Sequence, residues 1–203
     1  MSEEKSTEEI IFEAARRVFK QKGKAGARMQ EIADEAGINK SMLHYYFRNK
    51  DSLFREVYQR EMTKFLPILM QVVETDAPLE EKVASVVDTY YQFFKKNRNL
   101  PQFIIMEMNA NPERFKEFIK AQDINLDSAL KAQLIEAAGK GNMDPVPVNQ
   151  LIVSEVALVI FPFIASPMIQ AIFDFDDEEL EQFLEERKSF LVKFILNGMN
   201  YKK

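Results

Sequence analysis

The chain has no cysteine, no tryptophan and a single histidine, His44, in 203 residues. Without cysteine there is no disulfide framework, no Cys-ligated zinc and no thiol catalysis, which agrees with a reducing cytoplasm as its compartment. One imidazole excludes His-rich metal sites and His pairs. Glycine is scarce, with six residues, and strand-like alternation is rare, so the fold is expected to be all-α. A P-loop, a dinucleotide-binding glycine pattern, a Ser-His-Asp order and a cluster with metal-ligand spacing are all missing. The acidic run Asp176-Asp177-Glu178-Glu179 falls where a helix begins, and capping accounts for it. No catalytic residue, metal or cofactor is therefore expected.

Membrane signals are equally thin. The opening MSEEKSTEE has no basic region followed by an apolar core, unlike a signal peptide. Residues 156–173, VALVIFPFIASPMIQAIF, carry no charge for eighteen residues, which only reaches the lower limit for a spanning helix. Pro162 and Pro167 interrupt that run, Glu155 and Asp174 flank it, and no Lys or Arg anchors it. A buried or interface helix is expected there, and no membrane partner.

What the chain has in quantity is phenylalanine (seventeen) and methionine (ten), enough apolar volume for a sizeable core. The formal net charge is −5, yet residues 16–50 hold nine basic residues (Arg16, Arg17, Lys20, Lys22, Lys24, Arg28, Lys40, Arg48 and Lys50) against Glu31, Asp34 and Glu35. That stretch is +6 (9 − 3), leaving −11 for the rest. A positive face on an acidic body binds phosphate locally while limiting non-specific adhesion.

The same stretch contains the most informative pattern. In residues 29–53, MQEIADEAGINKSMLHYYFRNKDSL, Ile32, Ala33 and Ala36 recur at helical spacing. Gly37 suits a chain reversal with positive φ. Asn39 is a good N-cap for a helix over residues 40–47, and Asn49 or Asp51 for the next. Helix, tight turn and helix is the helix-turn-helix plan, whose second helix enters the DNA major groove. Lys40, Ser41, Met42, His44 and Tyr45 then become candidates for base or phosphate contact, while Tyr46 and Phe47 are expected to fix the inner face. Of the adjacent tyrosines, at least one is expected in the core.

These residues resemble the tetracycline-repressor (TetR) family of one-component regulators. Ile32-Ala33, Ala36-Gly37, Leu43, Tyr46-Phe47, Lys50 and Leu53 fall on the family's pattern. Residues 10–23, IIFEAARRVFKQKG, resemble its first helix, with Ile11, Ala14, Ala15, Val18 and Phe19 facing inward. The resemblance implies that Lys50 binds phosphate and that Gln30 stands where some relatives reach bases. Two positions depart from the pattern. Arg28 and Met29 replace the usual Thr or Ser cap, so Arg28 is expected to contact phosphate without capping. His44 stands where tyrosine is usual.

The resemblance also implies an effector pocket for a small organic molecule among the middle helices. Its candidates are Tyr90, Tyr91, Phe94, Phe103, Met106, Glu107, Phe161 and Met168, polar handles among aromatic and Met walls. Two apolar helices near the end, over residues 148–165 and 177–199, are the natural homodimer surface. Leu151, Ile152, Val156, Val159, Ile160 and Phe163 line the first; Phe183, Leu184, Phe190, Leu191, Phe194 and Ile195 line the second.

The expected architecture is thus an N-terminal three-helix helix-turn-helix domain (residues 1–50) and a C-terminal helical effector-binding and dimerisation domain (residues 51–203), about nine helices in all. The expected function is a ligand-responsive, homodimeric repressor of a double-stranded DNA operator. The competing reading is a helical small-molecule-binding or structural protein without DNA binding.

Overall fold

The computed structural model describes residues 6–98, 100–122 and 129–202, the side chains of Glu107 and Ala129 excepted. The described residues form eleven helices and no strand: α1 (Thr7–Gly26), α2 (Met29–Glu35), α3 (Lys40–Tyr46), α4 (Lys50–Val73), α5 (Leu79–Lys96), α6 (Leu100–Ala110), α7 (Pro112–Ala121), α8 (Ala129–Gly139), α9 (Val148–Ile164), α10 (Ser166–Phe173) and α11 (Asp177–Gly198). They fall into two compact units that divide between Lys64 and Phe65. The boundary expected at residues 50–51 lies inside the first unit, because Leu53, Phe54 and Val57 belong to its core.

In the first unit, Ser6 caps α1 by accepting from the Glu9 N–H at 3.2 Å. Helix α1 is kinked at Gly23, which takes φ 62°, so residues 22–28, expected as a loop, are partly helical. Ile11, Ala14, Ala15, Val18 and Phe19 are all buried, and Phe19 meets Phe54 edge to face at 4.9 Å. Arg60 fastens the start of α1 to α4: its guanidinium lies 4.1 Å from the Phe12 ring centre and pairs with Glu8, Glu9 and Glu56. A cation flanked by carboxylates and stacked on a ring has less freedom than an isolated surface pair.

The second unit is built around α5, which packs against α9 and α11. Its inward stripe (Leu79, Val83, Val86, Val87, Tyr90, Tyr91, Phe94) is buried. Phe65 stacks on Phe93 at 4.0 Å, and Phe163 of α9 closes on Phe94 at 5.4 Å and Tyr91 at 5.2 Å. Helix α4 runs on through Pro67 without the break its missing N–H predicts. Helix α11 begins with a complete capping box, Asp176 and Glu179 each accepting the other's backbone N–H at 2.9 Å.

One expected helix is a pair, and α10 follows the helix expected over residues 148–165, which is α9; together these account for eleven rather than about nine. Residues 112–138, which the spacing of Phe115, Phe118, Ile119, Leu130, Leu134 and Ile135 predicts as one helix, form α7 and α8; α7 ends where the Gln122 N–H turns back to the Ile119 carbonyl at 3.2 Å. Residues 123–128 of that expectation lie outside the described residues. The uncharged run over residues 156–173 bends by 70° between α9 and α10. Ala165 leaves helical geometry there, and Pro167 cannot donate across the joint. Among the described residues, no single helix is long and apolar enough to cross a membrane.

Candidate nucleic-acid interface and buried cavity

The turn between α2 and α3 is fixed by local chemistry. Gly37 has φ 67°, donates to the Asp34 carbonyl at 3.1 Å, and is followed by an Ile38 N–H bond to the Ala33 carbonyl at 3.0 Å. This pair of bonds is the Schellman arrangement, and a Cβ at Gly37 would strain it. Asn39 then accepts from the Met42 N–H at 2.7 Å and caps α3; Asn49 accepts from the Ser52 N–H at 2.8 Å and caps α4. Leu43 and Phe47, one turn apart, are the buried anchors of α3.

A helix of seven residues anchored at two positions leaves the rest outward. Lys40, Ser41, Met42, His44 and Tyr45 are all exposed, Tyr45 by 85%. Tyr46, expected on the inner face, is exposed instead and meets Tyr45 edge to face at 5.5 Å. Neither tyrosine is core, because α3 is too short for a third inward position. His44 Nδ1 lies 3.4 Å from the Arg48 carbonyl.

Ion pairing sorts the basic residues. Arg17 is bound by Glu35 at 2.6 Å, Lys22 by Glu31 at 3.1 Å, and Lys24 by Asp51 at 3.3 Å, while Arg16 reaches Glu13 and Glu61. Among the described residues Lys40 and Arg48 have no carboxylate partner, and Arg28 forms no ion pair although its charge acts on Glu31; all three are exposed. They stand at the start of α2, the first turn of α3 and the α3–α4 turn. Arg28 makes no side-chain cap bond; Glu31 instead accepts the Arg28 N–H at 3.3 Å. Gln30 is exposed and donates to Asp34 at 2.8 Å.

Lys50 is half-buried, and its Nζ donates to the Ala27 carbonyl at 3.0 Å. It therefore ties the α1–α2 junction to the start of α4. We expect Lys50→Met to lower the stability of this unit by about 1.5–3 kcal/mol, the range for a hydrogen bond to a charged group, read as a fall in Tm. An unchanged Tm would leave Lys50 with no structural part.

The second unit holds an apolar cleft of about 530 Å³, part of it open to solvent, between α4, α5, α8 and α9. Leu69, Val73, Leu79, Val83, Val86, Leu130, Leu151, Ile152 and Val156 form its walls, and Lys82, Tyr90 and Glu155 supply its polar atoms. Both charged residues are buried, Lys82 at 4% and Glu155 at 8% exposure. Burial raises the Glu155 carboxyl from 4.5 to about 7. Burial also lowers the Lys82 ammonium, partly opposed by Asp76. Burial, then the nearby Glu155, pushes the Tyr90 phenol up.

Of the expected pocket residues, only Tyr90 lines this cleft. Tyr91 and Phe163 border a smaller hollow with Arg98, Glu181 and Glu185, and Phe94 and Phe103 are core. Met106, Phe161 and Met168 are exposed, because their helices turn those faces outward. The Glu107 side chain lies outside the described residues. Lys82 and Glu155 went unnoticed in the sequence, although each carries a signal: Lys82 interrupts the stripe Leu79, Val83, Val86, and Glu155 sits between Leu151 and Val159 on one face of an apolar helix.

The expected dimer residues separate into four groups. Val159, Leu191 and Ile195 are buried core, while Leu151, Ile152 and Val156 face the cleft. Ile160, Phe183 and Leu184 are half-buried. Phe190 and Phe194 are exposed by 56% and 53% and stack at 5.8 Å. With Phe161, Met168, Ile172 and Phe173 also exposed, α9 to α11 carry much apolar surface.

A capped, glycine-turned helix pair with an outward second helix, accompanied by a helical unit with an apolar cleft, defines a helix-turn-helix DNA-binding regulator. Residues 11–57 match the family described as bacterial regulatory proteins, tetR family. The fatty acid metabolism regulator protein of Bacillus subtilis is 22% identical over 146 residues, 70% of this chain and 75% of that one. The HTH-type transcriptional repressor SCO4008 of Streptomyces coelicolor is 44% identical over 57 residues, 28% of this chain and 30% of that one. The crystal structure of the Bacillus subtilis transcriptional regulator FadR in complex with stearoyl-CoA superposes with a TM-score of 0.62 at 17% identity, covering 94% of this chain and 98% of that one. Residues 11–57 thus form a TetR-family helix-turn-helix domain, and the chain as a whole shares the fold of a regulator that carries one.

Proposed function

We propose that the protein is a homodimeric, ligand-responsive repressor, whose two α3 helices hold a double-stranded operator until a small organic molecule enters the α4–α5–α8–α9 cleft. The observation that carries the DNA-binding half is the outward face of α3, flanked by the unpaired Arg28, Lys40 and Arg48. Lys40 can donate to guanine O6/N7 or to phosphate, and Met42 can touch a thymine methyl. Arg28, Arg48 and the Lys50 ammonium supply backbone contacts that set register.

Release follows from linkage. A two-fold operator favours reading helices about one DNA turn apart, roughly 34–36 Å. A ligand that favours another separation weakens DNA binding, because one population cannot satisfy both. The exposed apolar faces of α9 to α11 supply the two-fold contact, of a kind that commonly buries about 2,000 Å² or more.

The test is fluorescence anisotropy with mixed-sequence duplex DNA across a salt series. Affinity should fall steeply with salt, and Lys40→Ala and Arg48→Ala should each reduce the slope by about one. Unchanged slopes would remove both residues from the contact set, and no DNA binding at low salt would leave only a small-molecule-binding helical protein.

A further inference from the structure

We propose that the cleft selects an apolar molecule bearing one protonated amine, with Glu155 as the carboxylate that receives it; this rests on reading the cleft as the effector site. Three observations converge. Glu155 is more than nine-tenths buried, and its Oε1 has no hydrogen-bond partner. A carboxyl left in that state is costly, and native structures seldom keep one without a reason. The walls around it are aliphatic, apart from Tyr90 on α5. They can shelter a hydrocarbon body, but they offer the carboxylate no counter-charge.

The other charge in the cleft does not fill that role. Lys82 makes no ion pair with Glu155 among the described residues, and the charge acting on it is that of Asp76. Lys82 and Tyr90 are eight residues apart on α5, about 12 Å of helix rise, and it is Tyr90 whose phenol feels Glu155. The two charges thus sit at different places along the cleft, and Glu155 alone lacks a compensating field. An unbranched acid would set its hydrocarbon end or its own negative charge against that carboxyl. A neutral alcohol can donate one hydrogen bond to it but brings no charge. An ammonium supplies both the donors and the charge.

Matched probes with the same alkyl chain separate these cases: decylamine, decanol and decanoate, each titrated calorimetrically into the full chain near neutral pH. Decylamine should bind about tenfold or more tighter than either of the others. Glu155→Gln should erase that advantage while leaving decanol within about twofold of its original affinity. Val156→Phe, which narrows the cleft, should weaken all three. Retention of folding by both variants is checked by circular dichroism. Equal binding of the three probes, or an amine preference that survives Glu155→Gln, overturns the charge assignment and leaves the cleft standing as the site. Binding indifferent to Val156→Phe, or no binding by any probe, overturns the effector-site reading itself.

Discussion

Glu155→Gln should make the protein more stable at pH 8 by up to about 3 kcal/mol and leave it unchanged near pH 4. The carboxyl is buried at 8% exposure, and its folded-state value is raised from 4.5 to about 7. Between those two values the folded chain holds a proton that the unfolded chain has released. Unfolding free energy therefore falls as pH rises through that window, by about 1.4 kcal/mol per pH unit, and this group adds no further change above it. Glutamine fills a similar volume, donates as well as accepts, and never ionises. Chemical denaturation of both proteins from pH 4 to 8 isolates the effect, since every other titrating group is shared. Parallel curves would mean that the carboxyl is hydrated in solution, and the electrostatic account of the cleft would fall with it.

Introducing Asp at both Phe190 and Phe194 should convert the proposed dimer to monomers and weaken operator binding by about a hundredfold or more. The two rings stack on the outer side of α11 and are more than half exposed in the single chain. Removing them therefore costs the isolated chain little buried area. In a two-fold bundle they become central aromatic anchors, the type of residue that carries most of an interface's energy. Charges facing each other across the axis add repulsion to that loss. A DNA reader with one head also forfeits the effective concentration of the second, which sets the size of the affinity drop. Analytical ultracentrifugation at micromolar protein is the direct measurement. A double variant that still sediments as a dimer would move the contact away from these rings.

The local devices were legible because their causes lie within a few residues. Ser6, Gly37, Asn39 and Asn49 each act on a neighbour no more than three positions away, and each does in the structure what its chemistry predicts. The buried positions of α1 are those that the resemblance of residues 10–23 to the family's first helix implies. What spacing could not supply is the direction of an aromatic or Met residue on a helix with apolar groups on every side. Phe161, Met168 and Met106 carried the same signal as Phe94 and Phe103, yet the first three face outward and the other two are core. Only the arrangement of neighbouring helices decides between those outcomes. The cleft failed to emerge for the opposite reason. Aromatic residues are the common signal of a pocket wall, while the observed walls are mostly Leu, Val and Ile and the telling residues are two charges out of place on apolar stripes. Lys50 matched a family position, but its bond to the Ala27 carbonyl depends on the fold of residues far away in the chain.

The carboxylates that occupy Arg17, Lys22 and Lys24 govern how this protein travels as well as where it stops. Most of the basic stretch is spoken for, and the whole chain is net negative. A polyanion therefore attracts it only at close quarters, through a few ungrouped cations. Random duplex should be sampled in brief visits, with little of the long-range electrostatic capture that accelerates strongly basic proteins. Arrival at the operator is then slowed, and residence there depends on the side chains of one seven-residue rod.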